Sequence, residues 1–282
     1  MSINLNKNTN IHTNKKCRWC PGCGNVPILY MLQRALLDLN IPLEKIVIVY
    51  DVGCHSKGAE LTKVYSFYGL HGRALPVAQG IKLVNPELKV IVMSGDGGGL
   101  GLGIGHLIHV CRRNIDITYI LHDNQLYGLT TGQASARTEK GVKTKTTPEG
   151  NLEDPIHPIK LLHSVGCSYI ARTFSGHPHH LLETLKDAIN HKGFSFVDVL
   201  QPCITFNKHN TYGWFNERIK IIKEENNLHN IYTSNKLDEI TLGVFWRESK
   251  ICLEEAMGIG KVASDEIPQI PDTNKIIQHY KI

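Results

Sequence analysis

The chain has no apolar stretch approaching the roughly 20 residues a bilayer-spanning helix needs. Its opening segment, Met1 to Lys16, is rich in Asn and Lys and holds no hydrophobic signal region. Membrane insertion and secretion are therefore not expected, and the cytoplasm is the expected compartment. Aromatic residues are scarce at 7%, and the excess of Lys and Arg over Asp and Glu is only +5 and scattered. Without a basic stripe interleaved with aromatics, nucleic acid is a poor candidate ligand; the charge could at most steer an acidic protein partner. Internal repeats and low-complexity segments are also missing. With no secretion signal, the eight cysteines do not argue for a disulfide framework.

What remains is an ordinary α/β composition, 41% hydrophobic over 282 residues, enough for one large domain or two small ones. Short β-branched runs at Ile46 to Tyr50, Val90 to Met93, Ile117 to His122, Ser168 to Ala171 and Phe194 to Leu200 read as buried strands. Helical periodicity fills the gaps at Val26 to Leu39, Ala74 to Val84, Leu100 to Arg112, Ile156 to Val165 and Pro178 to His191. The alternation implies a doubly wound, mainly parallel sheet with helices on both faces. Residues 1–16 read as extended or disordered. Glu217 to Asn230 reads as a charged helix, and the stretch after Thr233 as a mixed tail.

Two strand ends carry chemistry. Val90 to Met93 runs into Ser94-Gly95-Asp96-Gly97-Gly98-Gly99, and Ile117 to Ile120 runs into Leu121-His122-Asp123-Asn124-Gln125-Leu126-Tyr127-Gly128. A Gly-rich turn lets backbone approach a phosphate, and the helix start that follows favours the negative charge. A carboxylate and an amide oxygen at neighbouring strand ends can hold a Mg²⁺ that bridges a diphosphate. The 25 residues between Gly97 and Asp123 are one helix and one strand, so both ends return to the same sheet edge, where ligands bind in such folds.

The cysteines fall at 17, 20, 23, 54, 111, 167, 203 and 252. Cys20-Pro21-Gly22-Cys23 is a turn that aims two thiolates at one centre, while Cys54 and Cys203 follow predicted strands on the same edge as Asp96 and Asn124. Four thiolates there suit either Zn²⁺ or a [4Fe–4S] cluster. One local pair with two remote singles favours the cluster, though spacing alone leaves both open, and Cys17-x-x-Cys20-x-x-Cys23 also has a ligand rhythm. Cys111, Cys167 and Cys252 read as buried small hydrophobes.

Trp19-Cys20-Pro21-Gly22-Cys23-Gly24, Gly53-Cys54, His71-Gly72-Arg73-Ala74-Leu75-Pro76, Gly95-Asp96-Gly97, Asp123-Asn124 with Tyr127-Gly128-Leu129-Thr130, and Gln201-Pro202-Cys203 stand in this order. Over about residues 15–215 the chain resembles the β subunit of 2-oxoacid:ferredoxin oxidoreductases. The resemblance implies a thiamine-diphosphate-binding fold and oxidative decarboxylation of a 2-oxoacid with coenzyme A to acyl-CoA and CO₂, electrons passing to ferredoxin. It implies Mg²⁺ on Asp96, Asn124 and the Leu126 carbonyl, and a [4Fe–4S] cluster on Cys20, Cys23, Cys54 and Cys203, leaving Cys17 spare. It implies a thiamine-diphosphate pocket drawn from Cys54, His55, Ser56, His71, Gly72, Gly95, Asp96, Gly97, Asn124, Leu126, Tyr127, Gly128, Leu129 and Thr130. Lys57 would meet a substrate carboxylate or anionic intermediate. Residues 17–215 would form the cofactor domain and residues 216–282 a helical or irregular extension.

The glutamate that activates thiamine in such enzymes has no counterpart in a second Gly-rich unit here. Glu60, Glu149 and Glu153 do not fit, and the resemblance implies a separate α subunit that supplies it in a heterodimer. Whether γ and δ subunits join them stays open. Gly98 stands where relatives often carry a second acid, which blurs the substrate subfamily. The run from His71 to Pro76 leans slightly toward 2-oxoglutarate over pyruvate. Two rival readings are a redox-free thiamine decarboxylase or synthase subunit with structural zinc, and a non-catalytic subunit that uses the cysteine cage only to scaffold a partner. His106 and His109, at helical spacing, read as ordinary helix residues. Lys143 to Gly150 reads as an exposed loop.

Overall fold

The computed structural model describes residues 11–234 and 238–260. The first element is α1 (Asn25–Asp38), whose buried Ile28, Leu29, Leu32, Ala35 and Leu36 make one helical stripe. It is followed by β1 (Ile46–Tyr50), β2 (Tyr65–Tyr68), α2 (Ala74–Val84), β3 (Lys89–Gly95), α3 (Ile104–Arg113) and β4 (Ile117–Asp123). The short strands β5 (Leu126–Tyr127) and β6 (Gln133–Ala134) form a separate two-stranded ribbon. Then come α4 (Pro158–Ser164), β7 (Tyr169–Phe174), α5 (Pro178–Asn190), β8 (Ser195–Leu200), α6 (Tyr212–Asn216), β9 (Ile219–Ile221), α7 (Leu228–Thr233), β10 (Ile240–Arg247) and α8 (Leu253–Ala256).

The main sheet has eight strands in the order β2-β1-β3-β4-β8-β7-β10-β9. Every pairing is parallel except β10 with β7. Its central strands are buried on both faces, as β-branched runs without alternation require. Side chains of period two divide between two cores. Val47, Val49, Val90 and Val92 face α2 and α3; Ile46, Ile48, Tyr50 and Ile91 face α1 and α5. Strand order reverses at β1, with β2 on one side and β3 on the other, so the crevice between the β1 and β3 carboxyl ends is the topological switch point.

The expected doubly wound sheet is present, with three corrections. The helix after β3 does not begin at Leu100: residues Gly97–Leu102 form a π-type turn, and regular α-helix starts at Ile104. Wide turns of this kind often mark functional sites, and here four glycines leave the chain free to follow one. The charged helix expected over 217–230 is absent; Ile219–Ile221 is a strand, and only Leu228–Thr233 is helical. The tail expected to be irregular supplies β10, whose Leu242 and Phe245 are fully buried. The edge strand β2, exposed along its whole length, also went unforeseen. Of the expected extended N-terminus, residues 1–10 lie outside the described residues. Ile11 is buried, and His12 bridges antiparallel to Thr62.

Candidate functional site

The loops leaving β1, β3, β4 and β8 meet at the switch point around a cleft of about 560 Å³. Asp51, at the end of β1, is buried and organises one wall. Its carboxylate accepts from the Gly72 amide at 2.8 Å and the Ser94 hydroxyl at 2.8 Å, with His71 Nδ1 at 3.3 Å. A Cβ at Gly98 would lie 2.4 Å from its Oδ2. Glycine at 98 thus makes room for an acid brought in from another strand.

Asp96 follows β3 and is 1% exposed. The Ser135 hydroxyl donates to its carboxylate. Burial, reinforced by the negative charge of Asp123, pushes its carboxyl well above the usual range. A carboxylate in that position favours a cation. Asn124, after β4, directs its amide oxygen to the Leu126 N–H at 3.1 Å, and its carbonyl accepts from Asn207 at 3.1 Å. Behind them Arg137 Nε donates to Asp123 at 2.8 Å and holds the strand end. Tyr127 closes the floor: its hydroxyl donates to the Gly97 carbonyl at 3.1 Å, and a Cβ at Gly97 would sit 2.2 Å from its ring. His55 is buried against Gly53; burial lowers its pKa to about 4 despite the opposing charge of Asp51, so the imidazole is neutral near pH 7.

The cysteine segments are stitched together at the same edge. The Gly24 amide donates to the Pro202 carbonyl at 3.2 Å, joining the Cys20–Cys23 turn to the Cys203 segment. Trp19 Nε1 donates to the Cys54 carbonyl at 2.6 Å. Cys23 is electrostatically coupled to Cys203 and Cys54, and Cys54 to Cys203 and Cys20. Burial pushes the Cys23 thiol up to about 11, so a metal would have to displace its proton at neutral pH. Cys17 is exposed, whereas Cys111, Cys167 and Cys252 are buried as expected. Among the described residues, no three His, Cys, Asp or Glu side chains converge closely enough for a single metal ion.

Of the expected pocket residues, Cys54, His55, His71, Gly95, Asp96, Gly97, Asn124, Leu126, Tyr127, Gly128, Leu129 and Thr130 line this cleft. Ser56 and Gly72 stand behind it: Ser56 bonds the Gly53 carbonyl at 2.6 Å and the Tyr68 hydroxyl at 2.9 Å, and Gly72 bonds Asp51. Lys57 does not line it either. Its ammonium donates to the Arg18 carbonyl at 3.3 Å, and its charge acts on the Cys54 thiol.

Five further lining residues were not anticipated: Asn25, Val52, Gly53, Gly98 and Gln201. Gln201 and Gly53 lie within motifs already singled out, but Asn25, at a helix start, carries no sequence signal. Among the described residues no glutamate lines the cleft; Glu60 is engaged outside it by Arg18. His109 contacts Arg112 at 3.2 Å. Lys143 to Gly150 is tied down where the Ala134 amide donates to Thr146 at 3.0 Å.

Residues 51–199 match the family model described as thiamine pyrophosphate enzyme, C-terminal TPP binding domain. Residues 203–261 match the family model for the C-terminal part of the pyruvate ferredoxin oxidoreductase β chain. The 2-oxoacid:ferredoxin oxidoreductase 2, subunit beta, of Aeropyrum pernix is 39% identical over 257 residues, 85% of this chain and 83% of that protein. The chain belongs to this β-subunit family. Subunit beta of enzyme 1 from the same organism is 44% identical over 207 residues, 73% of this chain; the match spans only 65% of that relative's length. A solved 2-oxoglutarate:ferredoxin oxidoreductase from Magnetococcus marinus, with 2-oxoglutarate, coenzyme A and succinyl-CoA bound, superposes with a TM-score of 0.85 at 31% identity. That superposition covers 98% of this chain and 97% of that one. The family and the fold implied by the sequence motifs are thus both established. Among the described residues no helix is long and apolar enough to cross a membrane.

Proposed function

We propose that this chain is the thiamine-diphosphate and iron–sulfur subunit of a cytoplasmic 2-oxoacid:ferredoxin oxidoreductase. It would act with an α subunit to oxidise a 2-oxoacid and coenzyme A to acyl-CoA and CO₂ and deliver electrons to ferredoxin. The observation that carries this reading is the juxtaposition at Gly128. A Cβ there would lie 3.6 Å from both the Asn124 amide nitrogen and the Cys203 sulfur, so the metal–diphosphate end and the thiol cage are separated by one residue without a side chain.

The donor set fits the expected groups. Asp96, the Asn124 amide oxygen and the Leu126 carbonyl are hard oxygen donors suited to Mg²⁺, and a divalent cation would keep the buried Asp96 ionised. One local cysteine pair joined by two remote singles suits a [4Fe–4S] cluster on Cys20, Cys23, Cys54 and Cys203 better than structural zinc. Thiamine diphosphate, when bound, supplies the electron sink that makes decarboxylation of a 2-oxoacid feasible. The chain's own part is to hold the diphosphate against Gly95, Gly97 and Thr130 and to exclude water with Tyr127 and Leu129. Neutral His55 would serve as a hydrogen-bonding wall. Lys57, beside the cage, would face anionic substrate only after leaving the Arg18 carbonyl. The activating glutamate would come from the α subunit across the open side of the cleft.

The test is anaerobic co-purification with the α subunit, followed by assay over a 2-oxoacid panel with an artificial electron acceptor. Iron, sulfide and a broad band near 400 nm are expected, with 2-oxoglutarate turned over at least as well as pyruvate. A colourless, zinc-loaded complex that decarboxylates without reducing the acceptor would sink the reading. Asp96→Ala should abolish Mg²⁺-dependent thiamine diphosphate binding.

A further inference from the structure

Gln201 is 1% exposed and reaches both halves of the site. Its Oε1 accepts from Asn124 Nδ2 at 3.3 Å, and its Nε2 donates toward Cys23 Sγ at 3.7 Å. The polarity of this chain of amides is not free. A hard cation takes the oxygen of Asn124 and turns its NH₂ toward Gln201. An NH₂ group only donates, so it must meet Oε1, which leaves Nε2 on the sulfur side. Reversing Gln201 alone would set two donors face to face, and reversing Asn124 alone would set two acceptors face to face. Glycine at 24 provides the space, since a Cβ there would lie 2.7 Å from Gln201 Cγ.

We propose that Gln201 is a positioning residue that couples the two centres: a metal on Asn124 fixes the amide chain, and the chain sets an N–H···S hydrogen bond on Cys23 that raises the reduction potential of the cluster. N–H donors to cluster sulfur stabilise the more negative reduced state. Asn25 supplies a second donor to the same sulfur, at 3.5 Å, and its Oδ1 faces His122 Nδ1 at 2.8 Å. Asn25 has no bond to Asn124, so it tunes the cluster without sensing the metal. The coupling rests on the cluster and metal assignments above, and its consequence is ordered electron flow: the cluster becomes the better acceptor only when the cofactor is seated.

The experiment is an anaerobic, dithionite-poised EPR titration of the cluster in the full chain with its α subunit. It is run with and without Mg²⁺ and thiamine diphosphate. In the unaltered complex, adding both should raise the potential. Gln201→Leu should lower the reduced-to-oxidised ratio about tenfold at fixed ambient potential, roughly 59 mV for one electron, and abolish the response to Mg²⁺ and thiamine diphosphate. Gln201→Met, which nearly keeps the length of the side chain but has no donor, is titrated beside it and should behave likewise. Asn25→Leu should lower the potential but keep the response. An unchanged potential in either Gln201 variant, a response that survives in both, or its loss in Asn25→Leu overturns the coupling. Absence of iron and sulfide from the unaltered complex overturns the cluster assignment instead.

Discussion

At the scale of single residues, the site depends on side chains that are missing as much as on those present. Gly97→Ala would drive a methyl group into the Tyr127 ring, which stands where the new Cβ would be. Accommodating it should cost about 1–3 kcal/mol of stability and displace the cleft floor. Calorimetric titration should find thiamine diphosphate bound at least tenfold more weakly, with the fold retained by circular dichroism. The cysteines allow a sharper comparison. Cys17 is exposed and is not among the charges acting on Cys23 or Cys54, whereas Cys20 acts on Cys54. Iron content should therefore be unchanged in Cys17→Ser and strongly reduced in Cys20→Ser, despite their equal spacing in sequence. That distinction was legible only from the surrounding motif, because a three-residue rhythm fits both. Asn25 shows the opposite limit: an amide at a helix start gives no warning that it points at a thiol two residues back, since its orientation is set where the fold brings its Oδ1 against His122 of β4.

At the scale of elements, the strands that the sequence reveals are those buried on both faces, because only there do β-branched residues run without interruption. Strand β1 matches its expected bounds, and β3, β4 and β8 agree within two residues at each end. Strand β2 was invisible because it is exposed throughout. The segment 217–230 misled because its charges suit a helix surface, yet Ile219 and Ile221 alternate at period two beside β10. Elements are also fastened to one another by a buried ion pair remote from the cleft. Lys82 of α2 donates to Asp116, before β4, at 2.9 Å, and to the carbonyls of Pro86 and Leu88. Asp116→Ala should cost about 3 kcal/mol, since an ammonium is left buried, with only carbonyls in contact. Burial raises the Asp116 carboxyl, but Lys89 and Lys82 outweigh this and hold it below its ordinary range. A carboxyl depressed on folding contributes stability above its unfolded pKa and loses it as pH falls through its folded one. The unaltered chain should lose this contribution below about pH 4, and the loss should be absent in Asp116→Ala. Chemical denaturation across pH 3–7 checks both.

At the scale of the whole molecule, the proposed diphosphate and cluster sites share one edge because the parallel strands β1, β3, β4 and β8 bring their carboxyl ends to the same side. The chain alone should bind thiamine diphosphate with Mg²⁺ yet show no turnover, since no glutamate lines the cleft among the described residues. Titrating in the α subunit should restore 2-oxoacid-dependent acceptor reduction, reaching a plateau at one partner per chain. The β2 edge of the sheet raises a matter of manufacture. Strand β2 ends the sheet with Tyr65, Phe67 and Tyr68 all open to solvent, followed by exposed Leu70. A bare strand edge with aromatic side chains is a template for pairing with other chains. A cell that makes this subunit in excess would therefore be expected to lose the surplus to aggregation or proteolysis, so matched synthesis of the two subunits becomes a condition of its solubility.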